Sequence, residues 1–105
     1  MIIYNVTVKI SLEAHDEWLH WMKTKHIPDV MDTGIFREYR FTKVLTQEED
    51  GTSYSIQYLC DSTADLHRYQ VQHAPALQAE HSAKYKDQFV AFRTLLEMVD
   101  SGSSK

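Results

Sequence analysis

Six histidines in a chain of 105 residues raise the question of a metal site. Two metal ligands on one helix normally stand four residues apart, which brings both imidazoles to the same ion. The neighbouring histidines of the predicted helices are His15 and His20, His20 and His26, His67 and His73, and His73 and His81. None of these spacings is four, and the eleven residues from His15 to His26 correspond to about 16 Å of helix. We therefore predict no metal ion, although a site shared by two helices or two subunits stays open.

Two of these histidines stand two residues before a proline, His26 before Pro28 and His73 before Pro75. Proline interrupts the hydrogen bonding of a helix, so each pair marks a place where a helix ends or bends. A histidine at such a place can donate to the freed carbonyl groups, and its charged form suits a helix C-terminus. The pattern favours a structural role for both histidines.

A catalytic role for His73 is the alternative, because His73 shares a helical stripe with Leu66, Tyr69 and Leu77 that is expected to be buried. On that stripe it would face a pocket between helix and sheet. The other acid–base candidate is Tyr58, on a predicted strand. Either group would have to lie within about 3 Å of the substrate proton that it transfers.

A second set of polar residues lies on the predicted strands: Asn5, Thr7, Gln57, Arg93 and Glu97. Buried polar groups must satisfy one another or a ligand, because an unpaired one costs about 1–3 kcal/mol. We interpret the set in two ways that the sequence leaves open. It is either a structural network or a site for a small polar or anionic molecule, with Arg93 as the anchor.

These residues belong to a predicted β-α-β-β-α-β order. Alternating stretches predict the first three strands in IIYNVTVKI, IFREYRFTKVL and SYSIQYLC. Amphipathic stretches capped at Ser11 and at Ser62 or Thr63 predict the two helices. The stretch DQFVAFRTLLEMV fits either a helix or a strand, and we predict a strand. The order then specifies a ferredoxin-like α+β fold, a four-stranded antiparallel sheet with both helices on one face.

The face of the sheet away from the helices is expected to mix polar and apolar side chains. In this topology, two such faces commonly pack together across a two-fold axis and close a barrel. A domain of this length has a marginal core, which gains from pairing. We therefore predict a homodimer, a dimeric α+β barrel, with a solvated sheet face as the alternative.

Composition excludes several classes of partner. Eleven Lys and Arg against fifteen Asp and Glu give a net charge of −4, and no basic run indicates binding to nucleic acid or to a membrane surface. No apolar stretch approaches the roughly 18 residues of a membrane span. Cys60 is the only cysteine, which is typical of a reducing compartment, so we expect a cytoplasmic protein. We predict one domain over residues 1–99 and a disordered tail over 100–105.

The sequence also resembles a family of short bacterial proteins known only as a domain of unknown function. The resemblance is carried by MIIYNVTVKI, EWLHWMKTKHIPDVMDTGIF, YSIQYL and FVAFRTLLEMV, and it runs from Met1 to about Val99. That family is similar to the dimeric α+β barrels, which include cofactor-free antibiotic-biosynthesis monooxygenases, haem-degrading monooxygenases and muconolactone isomerases. The resemblance implies a strand at the end of the chain and carries no established activity.

The resemblance makes haem a candidate cofactor. Haem-degrading branches have an Asn on the first strand, a Trp and a His on the second helix, and haem between helix and sheet. Asn5 fits the first requirement, and His73 or His81 fits the last. The second helix has no tryptophan and offers only Tyr69 near that point. We therefore predict no cofactor and keep haem as an alternative.

The leading hypothesis is a homodimeric barrel of otherwise unknown function that binds a small organic ligand. One alternative is a cofactor-independent monooxygenase or isomerase, and another is a non-catalytic structural or assembly module. The sequence leaves open whether the protein is an enzyme.

Overall fold

The computed structural model describes residues 1–104. Its elements follow the predicted order, but each predicted helix is divided. They are β1 (Ile2–Ser11), α1 (His15–Trp21), a π-helical segment (Met22–His26), α2 (Ile27–Met31), β2 (Glu38–Lys43), β3 (Gly51–Cys60), α3 (Thr63–Gln72), α4 (Ala74–Lys84) and β4 (Phe89–Glu97).

The four strands form one antiparallel sheet in the order β2-β3-β1-β4, with the helices on one face. The ferredoxin-like fold predicted from the sequence is confirmed. The ambiguous last segment is a strand, because Phe89 pairs with Ile10 and the ladder continues to Glu97 opposite Ile2. β1 and β3 are thus the two central strands, and β2 and β4 are the edges.

Alternation along each strand divides the sheet into two faces. The helix-covered face of β1 carries Tyr4, Val8 and Ile10, which are almost completely buried. The open face of β1 carries Asn5 and Thr7 between them. The helix-covered face therefore supplies the core, and within residues 1–104 no helix packs on the open face.

The first helical rod contains a π turn that changes which residues face the core. The backbone N–H of Ile27 donates to the carbonyl of Met22, five residues earlier, so this turn is wider by about one residue. The widening brings His26 onto the face of Trp18 and Met22. Lys25, which the sequence pattern places on that stripe, is exposed and pairs with Asp29 and Glu80. Regular helical spacing does not anticipate the π turn.

The second helical rod breaks at His73, as the proline at 75 predicts. α3 begins with the Oγ of Ser62 accepting from the backbone N–H of Asp65 at 3.1 Å, and it ends before His73, whose φ is −123°. α4 restarts with a different rotational phase. Consequently the inward face of α4 carries Ala74, Leu77 and His81.

The chain after β4 has no helix or strand in residues 98–104, although the backbone N–H of Met98 donates to the carbonyl of Met1 at 2.9 Å. The predicted tail 100–105 ends at Lys105, which lies outside the described residues, and its disorder stays a prediction, as does the domain boundary at 99. Within residues 1–104, no helix has the length and apolar character needed to cross a membrane.

Candidate functional site

A cavity lies between the helical rods and the covered face of the sheet. Its apolar walls include Val6, Val8 and Ile56 from the sheet, with Met22 and Val30 from the first rod. The cavity volume is about 40 Å³, counted as the positions that the centre of a water molecule can take. A single water needs roughly 10–15 Å³ when counted in this way, so the cavity holds about three waters or a small organic group.

Polar side chains from every surrounding element also reach this cavity. They are Tyr4, Tyr58 and Arg93 from the sheet, His26 from the first rod, and Tyr69, Gln78, His81 and Ser82 from the second rod. Binding sites for small molecules typically combine apolar walls with a few converging polar groups. The composition of this cavity follows that pattern.

His81 is held by a tryptophan. The indole Nε1 of Trp18, which is fully buried, donates to Nε2 of His81 at 2.9 Å. An indole N–H can only donate, so the Nε2 atom must be the unprotonated acceptor. The hydrogen of the neutral His81 ring therefore resides on Nδ1, a tautomer that the fold assigns through Trp18.

His26 lies against His81, with ring centroids 5.4 Å apart, and against Trp21 at 5.0 Å. Its Nδ1 atom is buried and has no hydrogen-bond partner among the described residues. Leaving such a group unsatisfied costs about 1–3 kcal/mol. An unpaired buried nitrogen in a cavity wall therefore needs an explanation, and a bound molecule is one.

Burial keeps both histidines uncharged at neutral pH. It lowers the pKa of His26 to about 4, where nearby Lys25 and Arg93 also disfavour the charged ring and Asp29 opposes them. It likewise lowers the pKa of His81 to about 4, assisted by His26 and Arg93. This corrects the expectation that a charged His26 stabilises a helix end.

Arg93 stands at the mouth of the cavity. It is opposite Val6 in the sheet, so its side chain is on the helix-covered face. The guanidinium Nε donates to the hydroxyl of Tyr4 at 3.0 Å, while the residue as a whole is exposed. Within residues 1–104, no ion pair involves Arg93, and no Asp or Glu lines the cavity.

The five polar strand residues of the sequence prediction do not form one site. Arg93 and Glu97 are on the helix-covered face, whereas Asn5, Thr7 and Gln57 are on the open face. Glu97 pairs with Ile2 at the end of the sheet and does not line the cavity. The prediction that all five come together is wrong, because the register of β4 against β1 sets the face of Arg93.

On the open face, three polar residues bond to one another. Ser55 Oγ donates to Asn5 Oδ1 at 2.6 Å, and Asn5 Nδ2 donates to Thr7 Oγ1 at 3.3 Å. Gln57 lies beside them, opposite Asn5 and between it and Arg40 of β2. This arrangement supports the structural-network interpretation for Asn5 and Thr7.

The two acid–base candidates have different positions. Tyr58 is buried in the cavity wall, and burial raises its pKa far above the ordinary range, so its hydroxyl stays protonated. His73 does not line the cavity. Its ring stacks on Tyr69 with centroids 6.2 Å apart.

The sequence prediction missed His26 as a cavity residue and considered His81 only as a haem ligand. A signal for His81 exists in the spacing of Ala74, Leu77, His81 and Tyr85, which is that of an inward helical face. For His26 there is no comparable signal, because regular spacing selects Lys25 instead.

Comparison with family models identifies the relationship of the whole domain. The model described as Domain of unknown function (DUF4286) matches residues 1–99. The chain belongs to this family. No curated protein matches the sequence.

Solved structures with the same fold have low sequence identity. SnoaB, a cofactor-independent oxygenase from Streptomyces nogalater, has a TM-score of 0.68 at 12% identity, over 95% of each chain. A dimeric ferredoxin-like protein from an uncultured marine organism has a TM-score of 0.67 at 12% identity, over 99% of this chain and 100% of that one. A variant of MhuD with two manganese protoporphyrin IX molecules bound per active site has a TM-score of 0.69 at 14% identity, over 99% and 100%.

These similarities show that this chain has the same ferredoxin-like fold as these structures. The neighbours include a cofactor-independent oxygenase and a porphyrin-bound protein, so the fold is compatible with either condition. Among residues 1–104, no three His, Cys, Asp or Glu side chains are grouped in a way that would hold a metal ion.

Proposed function

We propose that this protein binds a small organic molecule in the cavity between the helical rods and the sheet of each subunit of a homodimer. The observation that carries the proposal is the buried Nδ1 of His26, which has no hydrogen-bond partner within residues 1–104, in the wall of a cavity that also presents Arg93 and His81. A bound molecule with polar atoms would satisfy these groups, and the apolar walls would bury the rest of it.

A cavity-filling variant tests ligand binding. Ala91→Leu adds volume at the cavity wall, and Ala79→Leu makes the same change at an exposed position of α4. Small organic compounds are screened by thermal shift, and native mass spectrometry of the purified protein reports any retained molecule. We expect compounds that stabilise the wild type and Ala79→Leu but not Ala91→Leu. Equal stabilisation of all three, or neither a retained molecule nor a stabilising compound, contradicts the proposal.

The open face of the sheet supports the homodimer. On this face the edge strand β4 presents Val90, Phe92 and Leu96, all substantially exposed in a single subunit. Exposed apolar side chains at one edge of this face suit a second sheet packed face to face. A neighbour described as dimeric has the same fold.

A charge on this face tests the assembly. Phe92 and Val71 are both 62% exposed in the subunit, Phe92 on the open face and Val71 on α3. We expect Phe92→Asp to sediment as a monomer, whereas the control Val71→Asp sediments as a dimer like the wild type. A monomeric wild type at high concentration would refute the homodimer.

An enzymatic version of this function has one specific support, the structural likeness to a cofactor-independent oxygenase. Of the two cavity histidines, His81 has its Nε2 engaged by Trp18, so His26 is the ring with free capacity to accept a proton from a bound molecule. Oxygen uptake with each compound found in the screen, compared between the wild type and His26→Gln, tests this version. Binding without turnover would favour a carrier or sensor.

We propose that the protein works without haem. Asn5 is on the open face, opposite to the cavity, and the Nε2 lone pair of His81 is already used by Trp18. The space of about 40 Å³ is also far smaller than a porphyrin, so the residues present do not fit that group in this conformation.

A cytoplasmic location is part of the same proposal. The single cysteine, Cys60, is free and buried, which suits a compartment where thiols stay reduced. Fractionation of cells with an antibody against the protein tests it, and recovery in a membrane or extracellular fraction would contradict it.

A further inference from the structure

We propose that the molecule taken by this cavity is a small organic anion, a short carboxylate whose oxygens accept from Arg93 and from Nδ1–H of His81. The inference rests on the proposed function, because it names the chemical class of the ligand of the same cavity. The inference is based on the charges and hydrogen-bond donors of the residues that line the cavity.

The charges of the cavity are unbalanced. Arg93 is its one lining residue with a fixed charge, and no carboxylate is available to it among the described residues. Only its Nε is used, as a donor to the hydroxyl of Tyr4. The guanidinium carries four further N–H bonds on its two terminal nitrogens, in the planar arrangement that matches a carboxylate.

His81 adds a donor of fixed orientation. Because Trp18 Nε1 donates to Nε2, the ring must carry its hydrogen on Nδ1, and no described residue accepts that hydrogen. The buried indole and the packing of His81 against Phe89, with ring centroids 4.1 Å apart, hold the imidazole in place. Trp18 therefore acts as a positioning residue, since it prevents His81 from presenting a lone pair at Nδ1.

Size and polarity define the remainder of the ligand. The walls of Val6, Val8, Ile56 and Leu77 are apolar, and the space takes about three water-sized volumes. Arg93 is at the exposed mouth, so a carboxylate there would leave a short apolar chain to enter the cavity. The domain has a net charge of −4, so its overall field does not favour anions, and attraction must come from the local arginine.

Isobutyrate and its neutral counterpart isobutyramide test the inference, because they have similar shape and differ in charge. By isothermal titration calorimetry at constant ionic strength, we expect isobutyrate to bind at least about tenfold more tightly to the wild type. Arg93→Gln is expected to remove that difference. Arg40→Gln, on the open face, is the control and is expected to retain it.

Two further measurements separate recognition from a structural effect. Arg93→Lys keeps the positive charge and is expected to restore part of the preference for isobutyrate, which a merely disrupted fold would not do. In the wild type, ¹⁵N spectra of His81 are expected to show the Nδ1–H tautomer and a shift on adding isobutyrate. Trp18→Phe is expected to give a mixture of tautomers and weaker binding.

The outcomes distinguish the two proposals. Equal affinity for isobutyrate and isobutyramide, both lost in Ala91→Leu, would overturn the anion inference and leave a ligand-binding cavity. Binding of isobutyrate that is unchanged in both Ala91→Leu and Arg93→Gln would overturn the inference by placing the anion elsewhere. No binding of either compound would overturn this ligand class, and the wider thermal-shift screen would then decide the proposed function alone.

Discussion

The two faces of the sheet differ in whether their polar side chains have hydrogen-bond partners. On the open face, Ser55, Asn5 and Thr7 bond to one another. On the covered face, His26 has a buried nitrogen without a partner, and Arg93 has no carboxylate partner among the described residues. The difference teaches where to look for a ligand. A satisfied network needs nothing further, whereas unpaired groups around a cavity are stabilised by whatever fills it.

The largest effect is expected on the covered face, at Trp18. Its ring is fully buried and donates to His81, so Trp18→Ala removes apolar packing and one buried hydrogen bond together. We expect a loss of about 3–5 kcal/mol in the free energy of unfolding, measured by urea denaturation. A loss below about 1 kcal/mol would show that the covered face is not the main core.

The pH dependence of stability tests the two buried histidines of the covered face. His26 and His81 have a pKa of about 4 in the folded protein and an ordinary value of 6.5. Between these two pH values the unfolded chain binds more protons than the folded protein. The stability that the two neutral histidines contribute is therefore fully present above about pH 6.5 and is lost as the pH falls towards 4. We expect a total loss of about 2–3 kcal/mol in the free energy of unfolding from pH 6.5 to pH 4, measured by urea denaturation across this range.

Removal of both rings provides the control for this pH effect. The double variant His26→Gln and His81→Gln is expected to be less stable at pH 7 and to have a flatter stability profile between pH 6.5 and 4. A profile as steep as that of the wild type would assign the effect to other groups.

A smaller effect is expected on the open face. Ser55→Ala removes the donor to Asn5, whose oxygen is only partly buried, and should lower the free energy of unfolding by about 1 kcal/mol. Ser53→Ala, on the same face, is the matched control, because the Ser53 side chain has no hydrogen bond to a described residue, and its effect should be near zero. Equal effects would show that the open-face network contributes little.

The smallest effect is expected when haemin is added to the protein. Haemin titrated into the apo protein should give no saturable shift of the Soret band, because the cavity is small and Nε2 of His81 is occupied by Trp18. A saturable shift at one haem per subunit that is lost in His81→Ala would show that the helices open and that the covered face holds a porphyrin.

Prediction from the sequence was most successful where the pattern was local. Alternation in β1 and β3, the cap at Ser62 and the proline interruptions were all visible in the residue order. The candidate site was predicted less well. Arg93 was selected as a candidate anchor, but it was placed with Asn5 and Thr7, from which the sheet separates it. Alternation assigns residues to two faces of one strand and does not say which face meets the helices.

The sequence by itself determined the order of elements and the amphipathic character of the helices. Its resemblance to a family also indicated the class of fold. Only the tertiary structure decided three matters: the register in which Phe89–Glu97 pairs with β1, the π turn that brings His26 inward, and the hydrogen bond by which Trp18 sets the tautomer of His81. The reason is physical. Periodicity is a property of neighbouring residues, whereas register, helical phase after a break and the choice of hydrogen-bond partner depend on contacts between segments far apart in the chain.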